Sequence, residues 1–479
     1  MPLPTAILRV VISSISLHVF FTFFTCRNLI QLRMEAFQPD VLIIGAGVAG
    51  VAAAGKLSQA GLRVLVVEAR DRIGGRVLTI HPSGFQTAVE LGAEFVHGRP
   101  PESFELIKSS GLHAVKVEGQ PFCSNEQVIG KCDFWGRIEK VLDAMKNEGL
   151  PDLSFDAFVK QLRDPEISEE DKSAACMYVR GFHAAHPEEI SVQSLIEGIK
   201  AEEEIEGDSQ FRLPQGYDRL VATLAQKLSG ERAKTQLNAV VARVRWKAGS
   251  VQLEIIPNHN TQVTLSAPRL LSTLPLGLLQ APDNRSGVVN FDPPLSSKAK
   301  SLSRLRVGHV IRVSMVFRKR FWAEMKANGQ SLAKMNFLFS RDSDFPTWWA
   351  FAPLDVPLLT GWAPADAAER LSHLSDDEIC QRALISLARV FHRPVEHCRE
   401  ELVHAYTHNW ENDAYARGAY SYVAQGGSDT QRELAAPIDN TLFFAGEATN
   451  FAGHHGTVHG AIASGYRAAE EIVSSLPGR

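Results

Sequence analysis

The six cysteines of this 479-residue chain, at 26, 123, 132, 176, 380 and 398, include no CxxC pair and no spacing of paired ligands. Their scatter speaks against a disulfide scaffold and against structural zinc, and fits a reducing compartment. Positive charge is not in excess either: 50 Lys and Arg against 54 Asp and Glu leave a net charge of −4. Phosphate backbones are bound by a basic face, so nucleic acid is not an expected partner. Internal repeats, low-complexity tracts and long coiled-coil insertions are also missing. What is present, 45% hydrophobic and 22% charged residues, is ordinary for a globular protein. The length calls for two domains or interleaved lobes instead of one simple core.

One long apolar run, ILRVVISSISLHVFFTFFTC at 7–26, precedes Met34. It has about the length a bilayer requires, yet it holds Arg9 and His18, and no small-residue cleavage site follows it. The start of a nucleotide-type strand only a few residues after Met34 favours translation from Met34 and a cytoplasmic protein. The alternative is a membrane anchor through residues 7–26, with membrane contact expected only if that run is retained.

The stretch DVLIIGAGVAGVAAAGKLSQAGLRVLVVEARDRIGGR (40–76) reads strand, tight turn, helix, strand. Val41 to Ile44 form an apolar run suited to a buried parallel strand. Gly45, Gly47 and Gly50 supply a G-x-G-x-x-G turn: the first allows the bend, the second admits a pyrophosphate to the backbone, and the third lets the helix sit close. Glu68 ends the second strand about 20 residues on, where a carboxylate can hold ribose hydroxyls. Near the other end, FFAGEATNFAGHHGTVHGAIASGY (443–466) reads as a buried strand, a glycine-and-histidine loop and a helix start. Amides at a helix start can meet a negative group on a ligand.

The dinucleotide turn followed by EARDRIGGR resembles the FAD-binding start of the flavin-containing amine oxidase family, which includes monoamine oxidases, polyamine oxidases and flavin-type histone demethylases. The closing segment NTLFFAGEATNFAGHHGTVHGAIASGYRAAEEI resembles the same family's C-terminal flavin motif, and the likeness spans from about residue 38 to the end. The resemblance implies an α/β, two-lobed fold in which a Rossmann-like FAD domain (34–105, 206–287 and 396–479) interleaves with an α+β substrate domain (106–205 and 288–395). Residues 1–33 remain as a hydrophobic extension. It also implies FAD as cofactor, held at Gly45, Gly47, Gly50, Glu68, Ala69, Arg70, Gly75, Arg76, Gly92, Ala93, Glu94, Val241, Gly446, Glu447, Thr457, Val458 and Ala461. Ala419 stands where monoamine oxidases attach flavin through a cysteine, so the FAD is expected to be non-covalent.

For chemistry, the resemblance places Arg312, Tyr420 and Thr457 at the flavin. Tyr420 would be one aromatic wall, and Thr457 replaces the second ring of the family's sandwich. Arg312 falls where the family has a lysine that meets flavin N5 through water; arginine is bulkier and always charged, so slow reoxidation by O2 is expected. The competing reading puts Arg312 toward solvent on an edge strand. His97 stands where plant polyamine oxidases carry a polyamine-binding glutamate. It is read as a pocket residue together with Tyr420, Trp349 and Phe351, the last two on one face of a strand by alternation. His455 and His459 lack a third ligand, so no metal is expected. The acidic run AEEEIEGD (201–208) reads chiefly as a solvated helix end.

The implied reaction is oxidation of an amine CH–NH bond by hydride transfer to flavin N5, giving an imine that hydrolyses. The partners are a small-molecule amine and O2, giving H2O2, or another acceptor. The alternatives are a flavin desaturase acting on an apolar CH–CH substrate, and a flavoprotein of decayed catalysis with a binding role.

Overall fold

A computed structural model describes residues 37–125, 128–146, 150–228, 230–257 and 262–477. The apolar run at 7–26 and the Met34 start lie outside the described residues. Among those described, no helix is long and apolar enough to cross a membrane.

The fully buried runs VLII and VLVV form central strands of a five-stranded parallel sheet. Its order is Ala233–Gln236, Val64–Val67, Val41–Ile44, Arg269–Ser272 and Leu442–Phe444. Val41 pairs with Arg269 and Leu270 with Leu442, so neighbouring strands come from distant parts of the sequence and this sheet closes only when the chain from one end to the other has folded. One face carries the helix Val48–Gln59, against which the last helix, Val458–Ser474, packs through Gly465. Gly465 is required there, because a Cβ would lie 2.3 Å from the carbonyl oxygen of Ala49. The other face is covered by the antiparallel strands Ala239–Lys247, Ser250–Pro257 and Val263–Ala267.

The second large sheet has seven strands, ordered Leu402–Thr407, Val310–Phe317, Leu358–Pro364, Thr347–Ala350, Met335–Ser340, Gln120–Ser124 and Ile129–Lys131. Tryptophans and phenylalanines dominate its core, with Trp322 and Trp348 fully buried. Leu402–Thr407 comes from the 396–479 segment expected in the FAD domain, so the sheet boundary does not coincide with the boundary expected at 395. A helical layer, Phe134–Met145, Phe155–Gln161, Glu169–Phe182 and Val192–Glu203, flanks this sheet. Each of its helices starts on a side-chain cap, Asp133, Ser154, Ser168 and Ser191 in turn, which satisfies amides the helix itself leaves free.

Cys123 and Cys132 form a disulfide across the hairpin of Gln120–Ser124 and Ile129–Lys131. The scattered cysteines speak against a disulfide scaffold, and a single hairpin bond is not one, but it corrects the argument from cysteine scatter for a reducing compartment. Nine residues apart, the two cysteines face each other only because the hairpin folds back between them.

Candidate active site

The first strand delivers the chain into Gly45, whose φ of +99° lies in the left-handed region that glycine alone enters freely. A Cβ on Gly50 would sit 2.0 Å from the Gly45 carbonyl oxygen, so the helix can seat on the turn only with glycine there. Gly47 is different: nothing lies within 4 Å of where its Cβ would be, and it opens onto a cavity of about 410 Å³. Glu68, at the end of its strand, accepts from the amides of Ala46 at 2.7 Å and Arg70 at 2.9 Å, tying the turn to the second strand. Burial pushes its carboxyl above the usual range against those two bonds. Arg70 is fixed by a two-pronged pair with Asp413 at 2.8 and 2.6 Å.

Glu447 joins the chain's ends. Its carboxylate accepts from Arg76 Nη1 at 2.9 Å, from the Ser421 hydroxyl at 2.6 Å and from the amide of Gly456 at 3.0 Å. Arg76 Nη1 also donates to the Ala419 carbonyl at 2.7 Å. Burial opposes ionisation of Glu447, but the Arg76 guanidinium and the Ser421 bonds outweigh it and hold the carboxyl below the usual range. Beyond this knot, Gly446 runs at φ +125° with no atom near a Cβ position, a second bare stretch of backbone on the same cavity. Thr457 caps the last helix, its hydroxyl accepting from the amide of Gly460 at 3.0 Å and donating to the His454 carbonyl at 2.7 Å.

On the opposite wall, Glu94 is 7% exposed and accepts from Arg312 Nη2 at 2.7 Å, Arg212 Nε at 2.7 Å and Trp349 Nε1 at 3.1 Å. Burial raises its carboxyl; the Arg312 and Arg212 guanidiniums overcome that and hold it ionised. Two guanidiniums on one carboxylate leave an excess positive charge beside the cavity. The edge-strand reading of Arg312 is corrected: its strand, Val310–Phe317, lies between two others, and the side chain is 3% exposed. Arg312 lines the cavity and is anchored to the Gly92 carbonyl at 2.8 Å. A Cβ on Gly92 would sit 1.9 Å from the Arg76 carbonyl oxygen, so only glycine lets these segments cross.

Most of the expected cofactor residues converge on the one cavity: Gly45, Gly47, Glu68, Ala69, Arg70, Gly75, Arg76, Gly92, Ala93, Glu94, Val241, Gly446, Glu447, Thr457, Val458 and Ala461 all line it. Gly50 does not, since its place is the helix–turn contact. Of the expected substrate residues, His97, Trp349 and Tyr420 line the cavity, and Tyr420 donates its hydroxyl to the Phe182 carbonyl at 2.8 Å. Phe351 does not line it, which corrects the pairing with Trp349. The strand ends at Ala350, so alternation no longer applies, and Phe351 packs in a separate cluster with Val89 and Leu358.

Sequence reasoning missed the helical wall. Tyr178 and Phe182 from one helix, His183 just past its end, and Ser194, Gly198 and Glu202 from another helix face the cavity. The 194–198–202 spacing, four residues each, is the signal that was available. The reading of 201–208 as a solvated end is corrected at one position. Glu203, Glu204, Glu206 and Asp208 are exposed, but Glu202 turns inward, and burial with the neighbouring Asp208 carboxylate pushes its carboxyl up to about 7.

Paired bare glycine backbones, a ribose-type acid at a strand end and a capped helix start, all on a cavity between a parallel sheet and a mixed one, define a two-lobed FAD-dependent oxidoreductase. The open space at Gly47 and Gly446 is where the residues fit FAD: side chains there would fill the cradle. The family model for flavin containing amine oxidoreductases matches residues 48–473, and the chain belongs to that family. Polyamine oxidase 2 of Arabidopsis thaliana is 28% identical, covering 92% of this chain and 89% of the relative. A rice protein, lysine-specific histone demethylase 1 homolog 2 of Oryza sativa subsp. japonica, is also 28% identical, covering 93% of this chain and 58% of its own length. The cyclohexylamine oxidase of Brevibacterium oxydans IH-35A shares the fold with a TM-score of 0.72 at 21% identity, over 91% of this chain and 99% of that one. The protein is thus an amine-oxidase-like flavoenzyme.

Proposed function

We propose that the protein oxidises the CH–NH bond of a small amine with non-covalently bound FAD, electrons passing on to O2, giving H2O2, or to another acceptor. One observation carries this reading: the cavity runs without a break from the bare backbone of Gly47 to an aromatic chamber in which Glu202 has no side-chain partner among the described residues. FAD, when bound, supplies the two-electron acceptor. Glu202, poised at about 7, draws a substrate ammonium and takes its proton, leaving the neutral base that such chemistry needs. Tyr420, held by Phe182, and Trp349, held by Glu94, fix the walls that orient the amine. The last helix presents its start, with Thr457 and Val458, to the region where the resemblance sets the flavin ring, and its dipole favours negative charge there.

Ala419 and the lack of any cysteine among the described cavity-lining residues support non-covalent FAD. The names of relatives, polyamine oxidases among them, favour an amine over an apolar CH–CH substrate. Location follows from residues 7–26: cytoplasmic if translation starts at Met34, anchored if the run is retained, and fractionation of the native protein separates the two. Anaerobic bleaching of the flavin by a panel of primary and secondary amines, beside an aliphatic and terpenoid panel, tests the reaction. Bleaching by amines supports it; bleaching by the second panel alone replaces it with a desaturase.

A further inference from the structure

Six rings on the cavity wall close a belt. Going round, the centroids of His97 and Phe182 are 5.3 Å apart, Phe182 and Tyr178 5.2 Å, and Tyr178 and Trp135 6.4 Å. The circuit continues from Trp135 to Phe337 at 6.3 Å, to Phe95 at 6.3 Å, and back to His97 at 6.2 Å. All six side chains line the cavity. They come from four separate stretches of chain: 95–97, 135, 178–182 and 337. No single helix or strand explains the belt as ordinary core periodicity.

One member of the belt, His97, is an imidazole, and a second imidazole, His183, stands beside it, its ring 5.2 Å from Phe182 and 5.4 Å from Tyr178. Neither imidazole has a hydrogen-bond partner among the described residues, and both line the cavity. Burial lowers His97 to about 4 and, with His455 and His97 nearby, lowers His183 to about 3. Both are therefore neutral near pH 7, and each offers one N–H donor and one acceptor.

Negative charge is scarce around this belt. Glu94 is occupied by Arg312, Arg212 and Trp349, while Glu447 and Glu68 are held by Arg76 and by backbone amides at the glycine turns. Among the described carboxylates that line the cavity, Glu202 alone is left for a cation. A ligand with several ammonium groups would bury the rest against neutral rings beside an excess of guanidinium charge. Face contacts with rings recover only about 0.5–2 kcal/mol per cation, less than the several kcal/mol of desolvating an ion.

We propose that the substrate is an amine with one basic nitrogen and an aromatic body bearing an uncharged hydrogen-bonding group, the body seated within the six-ring belt and the polar group bonded to His97 and His183. This rests on the amine reading above and goes beyond it in naming the substrate class. The polar group completes two imidazoles that otherwise have no partner, and a bare hydrocarbon leaves them unpaired.

The test compares three ligands on FAD-loaded protein: phenethylamine, its ring-hydroxylated counterpart tyramine, and spermidine. Anaerobic shifts in the flavin absorption spectrum give the dissociation constants, independent of turnover. Tyramine is expected to bind about five- to tenfold more tightly than phenethylamine, and spermidine more weakly than both. His183→Phe should bring the tyramine and phenethylamine constants together, and the wild-type comparison stands even if that variant misfolds. Equal binding of the two aryl amines, or tightest binding of spermidine, overturns the inference, whether or not the flavin is bleached. Bleaching without that preference leaves the amine reading intact and overturns only this inference; failure of every amine to bleach the flavin removes the amine reading and the substrate assignment with it.

Discussion

Replacing Glu94 by glutamine should be the most damaging single change in the wall opposite the glycine turns. The carboxylate, Arg212 and Arg312 are each 3–4% exposed at their side chains, and the two ion pairs are both 2.7 Å. Glutamine keeps the volume and an acceptor oxygen but removes the charge, leaving two guanidiniums buried without a counterion. Breaking a buried pair from one side costs about 3–5 kcal/mol. Arg212→Met is different, because Glu94 keeps Arg312 and the 1:1 pair remains neutral; its cost should stay at about 1–3 kcal/mol, near the penalty for one lost charged hydrogen bond. Urea titrations of both variants and wild type, followed by tryptophan fluorescence, give the order. The wild type adds a pH signature. Glu94 is held ionised in the fold, so its contribution is present above the unfolded carboxyl value and is lost as pH falls through the folded one. Glu94→Gln should therefore remove part of the acid sensitivity of stability. A Glu94→Gln cost below 1 kcal/mol, or a larger cost for Arg212→Met, would refute the claim that Glu94 balances both arginines.

Other perturbations separate the roles assigned to single residues. Gly47→Ala should fold normally, since space surrounds its Cβ position, but weaken FAD at least tenfold; Gly50→Ala should fail to fold around the 2.0 Å clash with Gly45. Calorimetric FAD titration and far-UV circular dichroism read the two effects. Arg312→Lys should speed peroxide formation relative to anaerobic flavin reduction, because a lysine there is free of the Glu94 and Gly92 anchors; an unchanged ratio in stopped-flow measurements would remove Arg312 from the reoxidation step. Glu202 ionises through about pH 7, so the KM for an amine should fall as pH rises from 6 to 8, and Glu202→Gln should flatten that slope.

The glycine turn, the acid at 68 and the closing helix were legible because each depends on local backbone geometry, which a few adjacent residues dictate. Glu447 was legible as a motif, but not as the knot that binds Arg76, Ser421 and Gly456, since that contact spans 371 residues. The hydrophobic alternation around Trp349 misplaced Phe351, because alternation cannot reveal where a strand stops. The six-ring belt was invisible for a stronger reason: its members are single residues from elements that meet only in the tertiary fold. Glu202 was hidden among exposed neighbours of the same charge, where composition points outward and only the helical phase points in. The Cys123–Cys132 bond was likewise hidden, as the spacing gives no sign of a hairpin between them.

Flavin capture tests the central claim most directly. Purified protein, denatured in acid, should release one intact FAD per chain into solution, and the stripped protein should take FAD up again only while Gly47 and Glu447 are intact. A colourless protein that binds no added FAD, or one whose flavin stays attached to the precipitated chain, would contradict the site built here from both ends of the sequence.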